Sequence, residues 1–144
     1  MIGRLLVLAA LAGCGGCATE ESEIRGAVVV LTEELQVPRC QLAGASPSAT
    51  GTVGANPTTR VVSIELRYEG LSTALTGVHL HAGARTEAGG ELVGFALSPS
   101  PIRGSVTLEP AAFDAFVTAL DAGGVYVDLH TASCPAGALR AQVY

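Results

Sequence analysis

Three histidines carry the chemistry open to this 144-residue chain, and two of them stand two residues apart. In Val78-His79-Leu80-His81 apolar and imidazole side chains alternate. Residues two apart on a strand project to the same face, so His79 and His81 point together while Val78 and Leu80 point the other way. The stretch Val125 to His130 repeats the pattern, with Tyr126, Asp128 and His130 on one face and Val125, Val127 and Leu129 on the other. Imidazole is the commonest neutral ligand for copper and zinc, and a His-x-His pair can present two nitrogens to one ion. Two such strands side by side would assemble a three-nitrogen site from His79, His81 and His130, with Asp128 next to it to orient a ligand. The plainer alternative is that these histidines cap polar strand faces through hydrogen bonds to Asp128, Tyr126 or backbone groups.

The elements that must position them read mostly as short strands. Gly26 to Thr32 is a β-branched run, and Arg60 to Gly70 alternates Val62, Ile64, Leu66 and Tyr68 with Val61, Ser63, Glu65, Arg67 and Glu69. That alternation is the mark of a half-buried strand. Thr76 to Ala82, Glu91 to Leu97, Arg103 to Leu108, Val125 to His130 and Ala138 to Tyr144 are further strands, separated by turn residues at Pro47, Gly54-Ala55-Asn56-Pro57, Gly83, Gly89-Gly90, Pro99-Ser100-Pro101, Gly123-Gly124 and Pro135-Ala136-Gly137. Ser46, Ser48 and Thr50 read as a polar loop. Glu109 to Ala122 differs, with Pro110 near its first position and Phe113, Phe116, Val117 and Leu120 at helical spacing. It predicts one short amphipathic helix that places Asp114 and Asp121 on its solvent side. Many short strands with one helix predict an all-β sandwich or barrel.

Composition narrows the function further. All eight basic residues are arginine, so neither a phosphate-loop lysine nor Schiff-base chemistry is available. The formal charge is −5 and the arginines are scattered singly, which excludes a nucleic-acid footprint. The patterns G-x-S-x-G, H-E-x-x-H and G-x-G-x-x-G with a following acidic residue are absent.

The N-terminus reads as an export signal. Arg4 precedes the apolar run Leu5 to Leu11, which is too short to span a bilayer permanently. The run ends in Leu11-Ala12-Gly13-Cys14, which looks like a bacterial lipobox, so residues 1–13 are expected to be removed and Cys14 acylated; more than one acyl chain anchors stably. The alternative is an ordinary secretory signal cut nearby. Loss of the leader removes Arg4 and takes the net charge from −5 to −6, and the mean hydropathy of +0.45 is inflated by that leader. Residues 14–25, small and acidic, form the expected tether, and 26–144 form the domain. With Cys14 acylated, Cys40 and Cys134 are the expected disulfide, closing a long loop worth about 4 kcal/mol in an oxidising compartment. Cys17 is left over in the tether.

From about Val30 to Tyr144 the order of motifs resembles the CHRD domain, first described in chordin and widespread in exported bacterial proteins. Leu31-Thr32 with Leu35-Gln36-Val37-Pro38 resembles the family's opening segment, and Gly51-Thr52-Val53 falls where a G-x-A strand would sit. Leu66-Arg67-Tyr68-Glu69-Gly70-Leu71 is similar to a strand ending in G-L, and Thr76 to Gly83 to the A-H-I-H-x-G core. Gly104 to Leu108 with Pro110, Gly124 to Thr131, and Pro135 to Gln142 are similar to G-x-x-x-L-T-P, N-x-Y-V-N-V-H-T and P-x-G-E-I-R-G-Q. Cys40 and Cys134 depart from that pattern, as do Ala138 and Ala141 in the closing motif. The resemblance implies an immunoglobulin-like or superoxide-dismutase-like Greek-key β-sandwich.

It also sharpens the reading of the histidines. Val78 to His81 resembles the H-x-H copper strand of copper–zinc superoxide dismutases, and Val127 to His130 the strand bearing their last copper ligand. No fourth histidine exists to bridge a second metal, so a copper–zinc pair is excluded by counting. Arg140, in the closing segment, is the candidate anion guide. Three functions follow as expectations. One is an exported, lipid-anchored binding module in the cell envelope with one copper ion, zinc being the weaker alternative, on His79, His81 and His130. The second is a copper-only dismutase-like enzyme with the same ligands. The third is a metal-free interaction or adhesion domain with a protein or glycan partner.

Overall fold

The computed structural model describes residues 25–42 and 46–144. The leader, Cys14, Cys17 and the tether up to residue 24 lie outside them. Eight strands and one α-helix follow in the order β1 (Arg25–Leu31), β2 (Ser48–Asn56), β3 (Val61–Glu69), β4 (Leu75–Ala82), β5 (Glu91–Gly94), β6 (Ile102–Thr107), α1 (Pro110–Asp121), β7 (Val125–Thr131) and β8 (Leu139–Val143), with a 3₁₀ turn at Glu33–Leu35. They form two four-stranded antiparallel sheets, β1-β2-β3-β6 and β5-β4-β7-β8. The chain crosses between sheets after β3, after β5 and through α1, so that β6 returns beside β3 and β7 beside β4. This is the expected all-β sandwich with one short helix.

Alternation explains which face each strand buries. Val29 and Leu31 of β1, Val62, Ile64 and Leu66 of β3, Val78 and Leu80 of β4, Val125, Val127 and Leu129 of β7, and Leu139, Ala141 and Val143 of β8 meet in one continuous core. The outward residues of the second sheet are the polar set that includes all three histidines. At one corner the sheets are joined: Thr32 and Arg140 exchange two backbone hydrogen bonds of 3.0 Å, continuing β1 onto β8.

Two sequence expectations are corrected. Gly54, Ala55 and Asn56, read as part of a turn, belong to a strand, the turn following at residues 57–60, and Ser48 and Thr50 lie in that same strand, β2, not in a loop. Its inward residues are Ala49, Val53 and Ala55, mostly small, so the strand carries little of the β-branched signal by which strands are recognised. Gly51 is small for a reason of packing, since a Cβ there would collide with the Glu65 carbonyl of β3. The helix begins at Pro110 as expected and buries Phe113 and Phe116, while Asp114 and Asp121 stay exposed and Asp121 pairs with Arg25. Gly123, at φ 67°, ends it by donating to the Leu120 carbonyl.

Candidate functional site

The register of the second sheet brings the histidines together. β4 and β7 pair so that His79 faces Asp128, His81 faces Tyr126 and Gly77 faces His130. All of these side chains stand on the outer face of the sheet because their neighbours in sequence fill the core. The ring centroids of His79 and His130 are 4.7 Å apart, those of His79 and His81 5.6 Å, and those of His81 and His130 6.0 Å. One ligand atom from each of His79, His81, Asp128 and His130 lies within 4.8 Å of the others.

Backbone carbonyls set the tautomers. His81 Nδ1 is 3.1 Å from the Gly89 carbonyl and His130 Nδ1 is 2.9 Å from the Pro135 carbonyl. A carbonyl only accepts, so both Nδ1 atoms carry their protons and donate. That leaves the Nε2 atoms to face inward, and both converge on one oxygen, Asp128 Oδ1, at 3.2 Å from His81 and 2.9 Å from His130. The His130 contact is a hydrogen bond; that of His81 has the distance of an ion pair but is misaligned, and its Nε2 is buried without a hydrogen-bond partner. His79 is oriented the other way: its Nε2 is 3.9 Å from Glu91 Oε2, and its Nδ1 is buried and unpartnered.

Charge follows the geometry. His130, with an acceptor at each nitrogen, has its pKa raised, by the Asp128 hydrogen bond first and the Pro135 carbonyl in support, against the opposing effect of burial. For His81 burial is the largest influence and pulls the pKa down, but the Asp128 carboxylate and the Gly89 carbonyl together outweigh it and the pKa is raised. Burial would lift the Asp128 pKa, yet its two histidine partners hold it below the usual carboxylate range. His79 is the exception: burial lowers its pKa, and Glu91 only partly offsets this.

Two loops wall the site. Residues 83–90 lie over Tyr126, whose hydroxyl accepts from Gly89 N–H at 3.1 Å and whose ring stacks on His81 with centroids 5.0 Å apart. On the other side, Cys134 is bonded to Cys40, the expected disulfide, with Cα atoms 5.9 Å apart. That bond fastens the turn carrying Pro135, whose carbonyl holds His130. Gly137 in the same turn has no room for a side chain, because a Cβ would overlap the Gln36 amide and come within 3.2 Å of Asp128 Oδ2.

Arg140 does not fit the role of anion guide. It is fully buried, its Nη1 donating to the Glu87 carbonyl at 2.8 Å and an Nη2 to the Ala84 carbonyl at 2.6 Å. Its guanidinium lies 3.5 Å from the centroid of the Tyr126 ring. Arg140 therefore builds the 83–90 loop and packs behind Tyr126, with no face toward solvent. Tyr126, named above as a hydrogen-bond partner, instead touches His81 through its ring.

Sequence reasoning missed Gly77, Gly94, Gly89, Pro135 and Glu91. Gly77 shares the period-two face of His79, a signal that was legible. Gly94, Gly89, Pro135 and Glu91 reach the site only through strand pairing and loop closure. His79 lies in a cradle of two glycines: a Cβ at Gly77 would sit 2.7 Å from its Cε1, and a Cβ at Gly94 would come within 3.4 Å of its Cδ2.

No curated protein and no solved structure matches the chain. The CHRD domain family matches residues 27–143, which takes in every strand bearing the site, and the chain belongs to the CHRD domain family.

Proposed function

We propose that this protein is an exported binding module that holds one copper-type ion on His79, His81 and His130. The observation that carries the reading is the sorting of the six imidazole nitrogens. In His81 and His130 the Nδ1 atom faces a backbone carbonyl, of Gly89 or Pro135, and the Nε2 atom turns to the shared Asp128 oxygen, while His79 has its Nε2 3.9 Å from Glu91 and one ligand atom within 4.8 Å of the other three. Two nitrogens of the cluster, His81 Nε2 and His79 Nδ1, are buried without a hydrogen-bond partner, which costs free energy unless something accepts their lone pairs. Orienting a ligating histidine through its second nitrogen is how metal sites are built. Three imidazoles suit copper(II) and zinc(II), and the absence of thiolate among the facing groups argues against a soft-ion site.

The disulfide and the family agree with an exported protein. We take the lipobox at Cys14 as the anchor to a membrane of the cell envelope. The dismutase-like alternative needs a positive group to draw in superoxide, and the burial of Arg140 removes the one assigned to it. The reading as a holding module needs none.

Copper(II) titration of the purified protein followed by electron paramagnetic resonance tests the proposal. One equivalent bound with nitrogen hyperfine structure, lost in His81→Ala, is the expected outcome. Absence of tight binding overturns it, and the search then moves to a protein or glycan partner for the outer surface of the first sheet, where Val28 and Val30 are 83% and 58% exposed.

A further inference from the structure

We propose that Asp128 is itself the fourth ligand, and that the centre is closed: it holds its ion on four protein donors and leaves no position for a substrate anion. This rests on the metal reading above and specifies what the site does with the ion. In zinc proteins structural sites are four-coordinate with protein ligands throughout, whereas catalytic ones keep a position open, and we carry that contrast over to this centre. The choice between holding and turnover therefore lies in whether a fourth protein donor stands at the centre.

Three observations place Asp128 there. Its Oδ1 is 2.9 Å from His130 Nε2 and 3.2 Å from His81 Nε2, so a cation bonded to both nitrogens lies against that oxygen. Its side chain is 3% exposed, and among the described residues the two histidines alone contact it as donors. Arg140, opposite it in the β7–β8 register, gives its nitrogens to the carbonyls of Ala84 and Glu87 instead. Once the two histidines turn their lone pairs to a cation, that cation is the carboxylate's remaining counter-charge, and a buried carboxylate without one is strongly disfavoured.

The surroundings also oppose an incoming anion. The side chains of His81 and His130 are only 12% and 13% exposed, shut in by the 83–90 loop and the Pro135–Gly137 turn. The more open side, at His79, is bordered by Glu91. An anion approaching there meets a carboxylate, which repels it.

The test uses the full chain loaded with one equivalent of copper(II), with azide as a probe of superoxide's charge and size. In the wild type, excess azide is expected to leave the electron paramagnetic resonance spectrum unchanged. In Asp128→Ala the same azide is expected to shift it, because the carboxylate's position becomes free. Asp128→Asn, which preserves shape, is expected to lower copper affinity by more than the roughly 10- to 100-fold that loss of a merely orienting partner costs and to alter the copper hyperfine splitting, covering the case in which the alanine variant misfolds. An azide-induced shift in the loaded wild type overturns the closed centre while leaving the metal reading intact. An Asp128→Asn spectrum identical to wild type also overturns it. Failure of the wild type to bind copper overturns both, so the two failures are told apart.

Discussion

His79 depends more than the other two histidines on what its neighbours lack. No backbone carbonyl fixes its ring, which is placed by the absence of side chains at Gly77 and Gly94. Gly77→Ala puts a methyl 2.7 Å from Cε1 of that ring, so the ring must turn away. We expect Gly77→Ala to lower copper affinity about 10- to 100-fold, measured by competition with a chelator, with a far-UV circular dichroism spectrum like that of the wild type. The other two histidines govern the pH dependence. Their pKa values are raised in the metal-free fold. The stability they contribute is fully present below the unfolded value of about 6.5 and is lost as pH rises through the folded values. Copper uptake runs the other way, because a ligating nitrogen must shed its proton. The rise in Tm on adding copper is therefore expected to be larger at about pH 8 than at about pH 5.5, as differential scanning calorimetry of both forms would show. A copper effect independent of pH would contradict the assignment of His81 and His130.

At the scale of elements, β4 and β7 supply the ligands but the loops hold them in place. The Cys40–Cys134 disulfide spans 94 residues and fastens the turn whose Pro135 carbonyl orients His130. Replacing both cysteines by serine is expected to cost about 4 kcal/mol, seen as a lower urea midpoint, and to weaken copper binding as well. Stability loss with unchanged affinity would show that the turn keeps its shape without the bond. Arg140 plays the corresponding part for the 83–90 loop. Lysine cannot reproduce its two-nitrogen fork or its stacking on Tyr126, so Arg140→Lys is expected to destabilise by about 2–3 kcal/mol in thermal unfolding. A merely exposed arginine would tolerate the exchange.

For the whole molecule, the core and the site lie on opposite faces of one sheet. The core draws on both sheets and on Phe113 and Phe116 of α1, and none of its members is a histidine. Folding is thus expected to be independent of the metal. The triple variant His79→Gln, His81→Gln, His130→Gln should unfold cooperatively and keep its far-UV spectrum, while losing the ligand-dependent gain in Tm that a bound ion confers. An unfolded triple variant would mean that the cluster is a structural part of the sandwich. The outer face of the first sheet is a second exposed feature among the described residues, with Val28 and Val30 side by side with the threonines and charged residues of β2 and β3.

How much of this was legible in the chain itself follows from the range over which each signal acts. Strand alternation has a period of two residues and is local. From it alone His79 and His81 share a face, as do Tyr126, Asp128 and His130, and Val78, Leu80, Val127 and Leu129 lie opposite. The helix from Pro110 and the cysteine pair could be read as well. β2 is legible only at Gly51-Thr52-Val53, through the family resemblance, because Ala49, Gly51 and Ala55 carry weak strand propensity and Gly51 owes its place to close packing against β3. Only the tertiary structure decided that β4 pairs with β7 in the register that sets Asp128 opposite His79, that Gly89 and Pro135 lend their carbonyls, and that Arg140 is buried. The physical reason is that pairing and register are chosen by burying the whole core at once, a balance of contacts far apart in the chain that no short stretch of residues contains.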